Sequence, residues 1–300
     1  MLHYLTTPKF ENKPRDCERP LAIMHVPKTA GTSVVTGISQ SLKVSEEVRG
    51  IDGLLLGTFD RFSEFDDEVS RTIYLDLSKM PDAKLIMGHF SRNTLTARYP
   101  DAQLLTFLRE PLSRLLSHWV YWRCMSDEYL ARWGAWQDCI KLSRGTLREF
   151  LTDPRIACQT DNLATRMLLW PDKRIGNDSF IDPERDSSLL RDALNRLNAF
   201  AYSDVIENPH FHANLSKWLN IELPVMHLNP TDRVPENLRI RLDKELDQET
   251  LWLLDHRCRL DAKLWASLAR RRLPKGGEIP SLQRQITLKA IARYGALLAP

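Results

Sequence analysis

The chain has 300 residues, 43% of them hydrophobic and 27% charged, an ordinary globular composition with enough length for one large core or two small ones. Its formal net charge of +3 is a mild basic bias, whereas a non-specific nucleic-acid binder usually carries a stronger, clustered excess of lysine and arginine. This balance argues against nucleic acid as a partner and suits an enzyme that handles anionic ligands.

Five cysteines are scattered along the chain, an odd number with no CxxC pair, so the sequence predicts neither a disulfide framework nor a thiolate zinc site. No segment approaches the roughly 20 apolar residues of a membrane-spanning helix, and residues 1–20 contain no apolar run of signal-peptide length. We therefore expect a cytoplasmic protein in which residues 1–20 are a polar N-terminal extension.

Apolar runs along the sequence predict short buried strands. The first, LAIMHV, covers residues 21–26, ends at Pro27 and is followed by a glycine-containing turn and a helical pattern. Four more strands are predicted, over residues 84–87, 103–108, 201–206 and 224–228. The strand at 103–108 leads into an amphipathic helix with Pro111 in its first turn, where proline is favoured.

Helical patterns fill the intervals between these strands, mainly over residues 126–200 and again near 209–219. Short apolar strands that alternate with amphipathic helices indicate an α/β fold with a mostly parallel central sheet flanked by helices. We assign this domain to residues 21–272. Residues 273–300 form an amphipathic tail that we expect to pack on the domain or on a second subunit, with a membrane surface as the alternative.

The segment PKTAGTS, residues 27–33, joins the first predicted strand to a helix and has the features of an anion-binding loop. Free backbone N–H groups and the helix dipole favour an anion at this position. Gly31 lets the backbone approach a phosphate or sulfate, because glycine has no Cβ. Thr32 and Ser33 offer hydroxyl donors, and Lys28 adds a compact positive charge.

Two other interpretations of this loop remain open. A nucleoside-triphosphate P-loop fits poorly, because the lysine precedes the glycine, the first glycine is missing and the loop is shorter. The neighbouring strand also ends in Arg109 and not in an aspartate suited to Mg²⁺. The segment could also be an ordinary strand–turn–helix connection with a surface lysine.

Two motifs together resemble those of a known family. HVPKTAGTS, residues 25–33, resembles the 5′-phosphosulfate loop of the carbohydrate sulfotransferases, especially the branch of heparan sulfate 2-O-sulfotransferase and its bacterial relatives. FLREPLSRLLSHW, residues 107–119, is similar to the second family element, in which an arginine at a strand end and a serine eight residues on bind the 3′-phosphate. The order of the motifs and their separation of about 80 residues also agree.

The resemblance implies a P-loop-like nucleotide-binding sulfotransferase fold that uses 3′-phosphoadenosine-5′-phosphosulfate (PAPS) as co-substrate and releases PAP. It covers about residues 20–270 and is diffuse outside the two motifs. On this basis the nucleotide is expected to contact Lys28, Thr29, Ala30, Gly31, Thr32, Ser33, Arg109 and Ser117, and also Thr231, which lies where family members have a loop closing over the nucleotide.

The second motif has a physical logic of its own. Arg109 offers a guanidinium fork to a phosphate at the strand end. Ser113 and Ser117 are four residues apart and therefore share one face of the following helix. If that helix begins at Pro111, Ser117 lies about 9 Å along it, which is within the span of a nucleotide.

Sulfuryl transfer to an alcohol needs a base for the acceptor proton and a positive group for the charge that develops on the leaving oxygen. Lys28 can supply the charge. His89, in LIMGHF, is the candidate base, because imidazole titrates near pH 6.5 and can accept a proton at cellular pH. The resemblance agrees, since this family branch carries its catalytic histidine after a glycine and before the second motif. The alternative for His89 is a hydrogen-bonded structural residue.

Other histidines are interpreted differently. His25 and His118 are predicted to be structural, because the first lies inside an apolar strand and the second beside a core-facing tryptophan. No histidine pair has the HExxH spacing of a zinc site, and sulfuryl transfer from PAPS needs no metal, so we expect none.

Later segments carry weaker signals. Asn162 and Arg166 share one face of a helix that resembles a border of the family's acceptor cleft, where Arg166 would hold an acidic group or form a surface ion pair. Trp122, Trp133 and Trp136 suit stacking on sugar rings, with core packing as the alternative, and Trp119 is predicted to be core.

The sequence thus predicts in-line sulfuryl transfer from PAPS to a hydroxyl of a carbohydrate. A nucleotide-dependent phosphotransferase and a non-catalytic nucleotide- or glycan-binding protein of the same fold are the alternatives. The sequence leaves open the hydroxyl position, the choice between a glycan and a small-molecule acceptor, and assembly into a homo-oligomer.

Overall fold

The computed structural model describes residues 12–224, 233–274 and 278–300, with the backbone alone at Gly31 and Thr32. Thr231 and nearly all of the strand predicted over residues 224–228 lie outside the described residues.

The centre of the fold is a six-stranded sheet in the order β3-β2-β4-β1-β5-β6, in which every pairing is parallel. The strands are β1 Leu21–His25, β2 Glu47–Asp52, β3 Ile73–Tyr74, β4 Leu85–His89, β5 Gln103–Leu108 and β6 Tyr202–Val205. The prediction of an α/β fold with a parallel sheet flanked by helices is confirmed. β1, β4, β5 and β6 match predicted strands, whereas β2 and β3 were not predicted.

Fourteen α-helices surround the sheet in the described part of the chain. They are α1 Gly31–Leu42, α2 Asp67–Ser70, α3 Arg92–Arg98, α4 Pro111–Arg123, α5 Asp127–Ala131, α6 Gln137–Lys141, α7 Leu147–Thr152, α8 Ala157–Thr160, α9 Leu163–Leu169, α10 Asp186–Asn198, α11 Phe211–Leu219, α12 Leu242–Glu245, α13 Gln248–Arg272 and α14 Ile279–Leu298. None of these helices is long and apolar enough to cross a membrane.

Both faces of the sheet are buried, as the alternation of side chains along β1 shows. Ala22 and Met24 face a core shared with α3, α9, α10 and α13, while Leu21 and Ile23 face a core shared with α1 and α11. A further core, around the fully buried Trp119, joins α4, α6 and α7 to α13 and α14. The helices of this further core stand beside the carboxyl ends of the strands.

Strand register brings the site residues to one edge. His89 at the end of β4 lies beside Ile51 of β2, and His25 at the end of β1 lies beside Phe107 of β5. Gly88 pairs with Gly50 at this point, and a Cβ on Gly88 would collide with the carbonyl oxygen of Gly50. The close approach of the two backbones therefore requires glycine immediately before His89.

The C-terminal tail packs on the domain, which agrees with the first of its predicted locations. α14 lies against α4 and α12, with Ile279, Ala290, Tyr294 and Leu298 buried. The carbonyl oxygens at the end of α14 accept hydrogen bonds from the backbone N–H groups of residues 234 and 240.

Candidate active site

A cavity of about 680 Å³ opens at the carboxyl ends of the strands, within the range of about 300–1,000 Å³ that is usual for small-molecule sites. It is lined by residues that follow β1, β2, β4, β5 and β6, and by α4 and α14. The predicted site residues that line it are Lys28, Ala30, Ser33, His89, Arg109 and Ser117. Two separate stretches of sequence are thus brought to one cavity.

The loop between β1 and α1 has a constrained backbone. Lys28 and Ala30 have φ values of 67° and 60°, in the left-handed region that non-glycine residues seldom adopt. Thr29 between them is fully buried, and its hydroxyl donates to the carbonyl of Val26 at 2.8 Å. The Thr29 side chain therefore fixes the loop to the end of β1. Helix α1 begins two residues later, at Gly31.

Lys28 places a cation in the cavity wall. Its Nζ lies 3.6 Å from the ring centroid of Tyr121 on α4, a cation–π contact. Burial, with a smaller contribution from the nearby charge of Arg109, lowers the pKa of Lys28 to about 8. An anion bound beside this ammonium group would favour its protonated form.

Arg109 links the two predicted motifs directly. Its Nη1 donates to the carbonyl oxygen of Lys28 at 3.0 Å, so the arginine holds the anion loop by its backbone. Its Nη2 donates to the Ser113 hydroxyl at 2.7 Å and to the Tyr294 hydroxyl of α14 at 3.0 Å. A guanidinium has five N–H donors, so these bonds to described residues leave donors that a ligand could use.

The start of α4 fixes this arginine in place. The carboxylate of Glu110 caps the helix by accepting from the backbone N–H groups of Leu112 and Ser113. The backbone N–H of Glu110 donates in turn to Glu207 at 2.8 Å. Burial raises the pKa of both carboxyl groups. One helical turn after Ser113, the nearly buried Ser117 reaches the cavity wall.

His89 has a defined tautomer. Its Nδ1 lies 2.7 Å from the carbonyl oxygen of His25. A carbonyl oxygen can only accept, so Nδ1 carries the hydrogen and Nε2 keeps the lone pair. Burial lowers the pKa of His89 below its ordinary value, and the charge of Lys28 lowers it further, against the effect of the hydrogen bond. At neutral pH this imidazole is therefore a neutral proton acceptor in the cavity wall.

His25 and His118 also line the cavity, which the sequence did not indicate. The His25 ring lies 4.5 Å from the His89 ring between centroids, and the His118 ring meets Trp122 edge-on at 4.4 Å. Burial lowers the pKa of both well below the ordinary histidine value. At neutral pH both are therefore uncharged groups in the cavity wall, and the structural role predicted for them stays a prediction.

Among the lining residues that sequence reasoning missed, three lie close to Lys28 and Arg109. Tyr121 contacts Lys28, Tyr294 binds Arg109, and Arg293 precedes Tyr294 on α14. Arg293 and Tyr294 lie in the predicted amphipathic tail, but nothing in the sequence linked that tail to the site.

The interpretation of Arg166 is wrong in both of its forms. This side chain is 1% exposed and forms a buried ion pair with Asp161 at 2.8 Å. It also donates to the carbonyl oxygens of Gly176 and Ser179, each at 2.7 Å. Arg166 therefore holds the polar loop before α10 and binds neither an acceptor nor a surface partner.

The tryptophans do not separate into the two predicted uses, because Trp122 and Trp136 line the cavity and are also buried in the core around Trp119. Trp119 is fully buried in the core, as predicted. Trp122, Trp133 and Trp136 line the cavity. Within residues 12–224, 233–274 and 278–300, no group of three or more His, Cys, Asp or Glu side chains is arranged to hold a metal ion.

A scan against protein-family models and a search of curated proteins give no match to this chain.

Proposed function

We propose that the protein is a PAPS-dependent O-sulfotransferase that transfers a sulfuryl group to a hydroxyl of a carbohydrate acceptor. The observation that carries the proposal is the convergence at one sheet edge of an anion loop, an arginine braced against that loop, and a neutral histidine. Lys28 follows β1, Arg109 follows β5 and His89 ends β4, and these three strands are neighbours in the sheet.

The donor would be held at both of its charged ends. The N-terminus of α1 and the Lys28 ammonium suit the 5′-phosphosulfate, because backbone N–H groups, the helix dipole and a cation all favour an anion there. Arg109 and Ser117 suit the 3′-phosphate, since the guanidinium forms charge-assisted hydrogen bonds with phosphate oxygens. The nucleotide would lie between these groups, towards β5 and β6.

Transfer then needs one proton acceptor and one cation. The acceptor hydroxyl oxygen forms a bond to sulfur while the bond from sulfur to the bridging oxygen of the 5′-phosphate breaks. The electron pair of that bond stays on the leaving oxygen, where Lys28 stabilises the charge. The acceptor proton passes to His89 Nε2, which the bond from Nδ1 to the His25 carbonyl leaves unprotonated.

Calorimetry with PAP, with Mg-ATP and with ATP alone tests the donor site. We expect PAP to bind more tightly than either form of ATP; a preference for Mg-ATP would favour a phosphotransferase and overturn the proposal.

Transfer from labelled PAPS to a panel of polysaccharides and small alcohols tests the reaction itself. We expect the label to appear on a carbohydrate. Tight PAP binding without transfer to any member would favour a non-catalytic binding protein.

A further inference from the structure

The strand order divides the cavity into two halves. Lys28 lies above the centre of the sheet, with Arg109 on the β5 side and His89 on the β4 side. Beyond His89 comes β2, whose Ile51 pairs with His89 in register and also lines the cavity. If the nucleotide occupies the β5–β6 half, the atom that attacks sulfur must approach from the β2 half, where the base is.

The β2 half is built mainly of aliphatic and aromatic side chains. Leu55 and Leu56 follow β2 and line it directly. Trp133 and Trp136 belong to the same half, because they pack on Phe65 and Phe59 at centroid distances of 5.8 and 5.7 Å.

The side-chain amide of Gln159 is bonded within the same wall. Gln159 lines the cavity and donates to the carbonyl oxygen of Leu55 at 2.7 Å. Ile140, a neighbour of Trp136 in the same core, completes this apolar surface.

The cations of the described lining lie elsewhere. Arg109 follows β5, and Arg293 is adjacent to Tyr294, which binds Arg109. Lys28 stands at the boundary between the halves and is close enough to both arginines for their charges to lower its pKa. Positive charge is thus concentrated where the anionic donor would bind.

We propose that the acceptor is an uncharged alcohol that presents an apolar ring face, a neutral sugar or a ring alcohol, and not a carboxylated or sulfated polyanion. This inference rests on the proposed sulfotransferase function. An acceptor carboxylate in the β2 half would lose its hydration among tryptophan and leucine side chains, which is strongly unfavourable without a paired cation. The apolar face of a ring would instead pack on the tryptophans.

The test uses the full chain, labelled PAPS and matched acceptors: a neutral glucan oligosaccharide, the same oligosaccharide oxidised to carboxylates at C6, and a simple ring alcohol. We expect kcat/KM for a neutral acceptor to exceed that for the oxidised one by about 10²-fold. Preferred transfer to the glucan would assign a neutral sugar. Preferred transfer to the ring alcohol would support this inference but replace the carbohydrate of the proposed function with an aromatic or alicyclic alcohol.

Two failures can be told apart by calorimetry with PAP on the same preparation. PAP binding together with equal or better transfer to the oxidised acceptor overturns this inference alone, because the transferase activity itself is then present. PAP binding with no transfer to any of the three acceptors overturns the proposed catalytic function as well. Failure to bind PAP overturns the proposed function, and this inference with it.

A pair of tryptophan variants locates the acceptor. Trp133→Ala should raise KM for the neutral acceptor about tenfold while the affinity for PAP stays the same. Trp252→Ala is the matched control, because Trp252 is 59% exposed on α13 and does not line the cavity. Unchanged KM in a folded Trp133→Ala variant would contradict the assignment of this half to the acceptor.

Discussion

Two arginine-bearing regions look alike in sequence and are used in opposite ways. At the β5–α4 junction Arg109 precedes a serine by four residues, and around α9 Arg166 follows an asparagine by four residues. In the structure Arg109 opens on the cavity, whereas Arg166 is buried. Both patterns suggested an arginine that binds an anionic ligand, but only Arg109 is accessible from the cavity.

The two arginines differ in the groups that accept their hydrogen bonds. Arg166 directs its donors at Asp161 and at the carbonyl oxygens of Gly176 and Ser179, which together neutralise and enclose the guanidinium. Arg109 has only neutral hydrogen-bond partners among the described residues, a carbonyl oxygen and two hydroxyls. Its charge therefore stays available to a ligand. Changes on the cavity side should consequently affect turnover and binding, and changes around Arg166 should affect stability.

The largest effect is expected from His89→Ala, the sharpest test of the cavity side. Loss of the proton acceptor should lower kcat by about 10²–10⁴, while the affinity for PAP, measured by calorimetry, stays nearly the same. His210→Ala is the matched control, because His210 is exposed and does not line the cavity. Full turnover by His89→Ala on the true acceptor would exclude His89 as the base.

On the buried side, Arg166→Ala should lower the free energy of unfolding by about 3–5 kcal/mol, because the carboxylate of Asp161 would lose its closest cation in the interior. Denaturant titration measures the change. At a temperature where the variant is folded, its affinity for PAP should equal that of the wild type. A stable Arg166→Ala variant with weakened PAP binding would contradict the conclusion that Arg166 serves stability and not ligand binding.

A smaller effect is expected from Arg109→Lys. The ammonium group keeps the charge but loses the fork geometry, so the Kd for PAP should rise about 10- to 10²-fold. Arg191→Lys is the matched control, since Arg191 is an exposed residue of α10. An unchanged Kd for Arg109→Lys would mean that the arginine only braces the loop.

The smallest effect is a change in pH profile. In the proposed reaction Lys28 is needed as a cation, so its pKa of about 8 means that kcat/KM should fall as the pH rises through about 8. As a base, His89 is needed in its neutral form. Because its pKa is lowered, the fall of kcat/KM on the acidic side of the pH profile should occur below the ordinary pKa of histidine. Lys28→Arg should remove the alkaline limb, because arginine stays protonated. Persistence of that limb would assign it to another group.

The sequence predicted the parts of the fold that have local signals. The strands β1, β4 and β5 are apolar runs, and α4 carries both an apolar stripe and Pro111. β2 was missed because EVRGID mixes charged residues with a glycine, and its partial exposure leaves no apolar run to detect. β3 spans only two residues. The order of the strands depends on pairings between distant segments, which a local pattern does not encode.

In the candidate site, too, residues with a local sequence signal were predicted and residues placed by distant contacts were not. The convergence of residues 27–33, His89 and Arg109 on one cavity could be predicted, because each was expected after a strand and the ends of parallel strands meet at one edge. Tyr121 and Tyr294 were missed because their contacts join segments far apart in sequence, 185 residues in the case of Arg109 and Tyr294. Arg166 was misassigned because its partners, Gly176 and Ser179, lie in a loop without a regular pattern.

The hydrogen bond from Arg109 to Tyr294 has a consequence for synthesis on the ribosome. All six strands precede α14 in the chain, so the sheet and the anion loop can form while this helix is still inside the exit tunnel. Until the helix emerges, Arg109 lacks one of its hydroxyl partners and the cavity lacks part of its wall. Until α14 is made, a nascent chain would thus have its six described strands but an unfinished cavity wall.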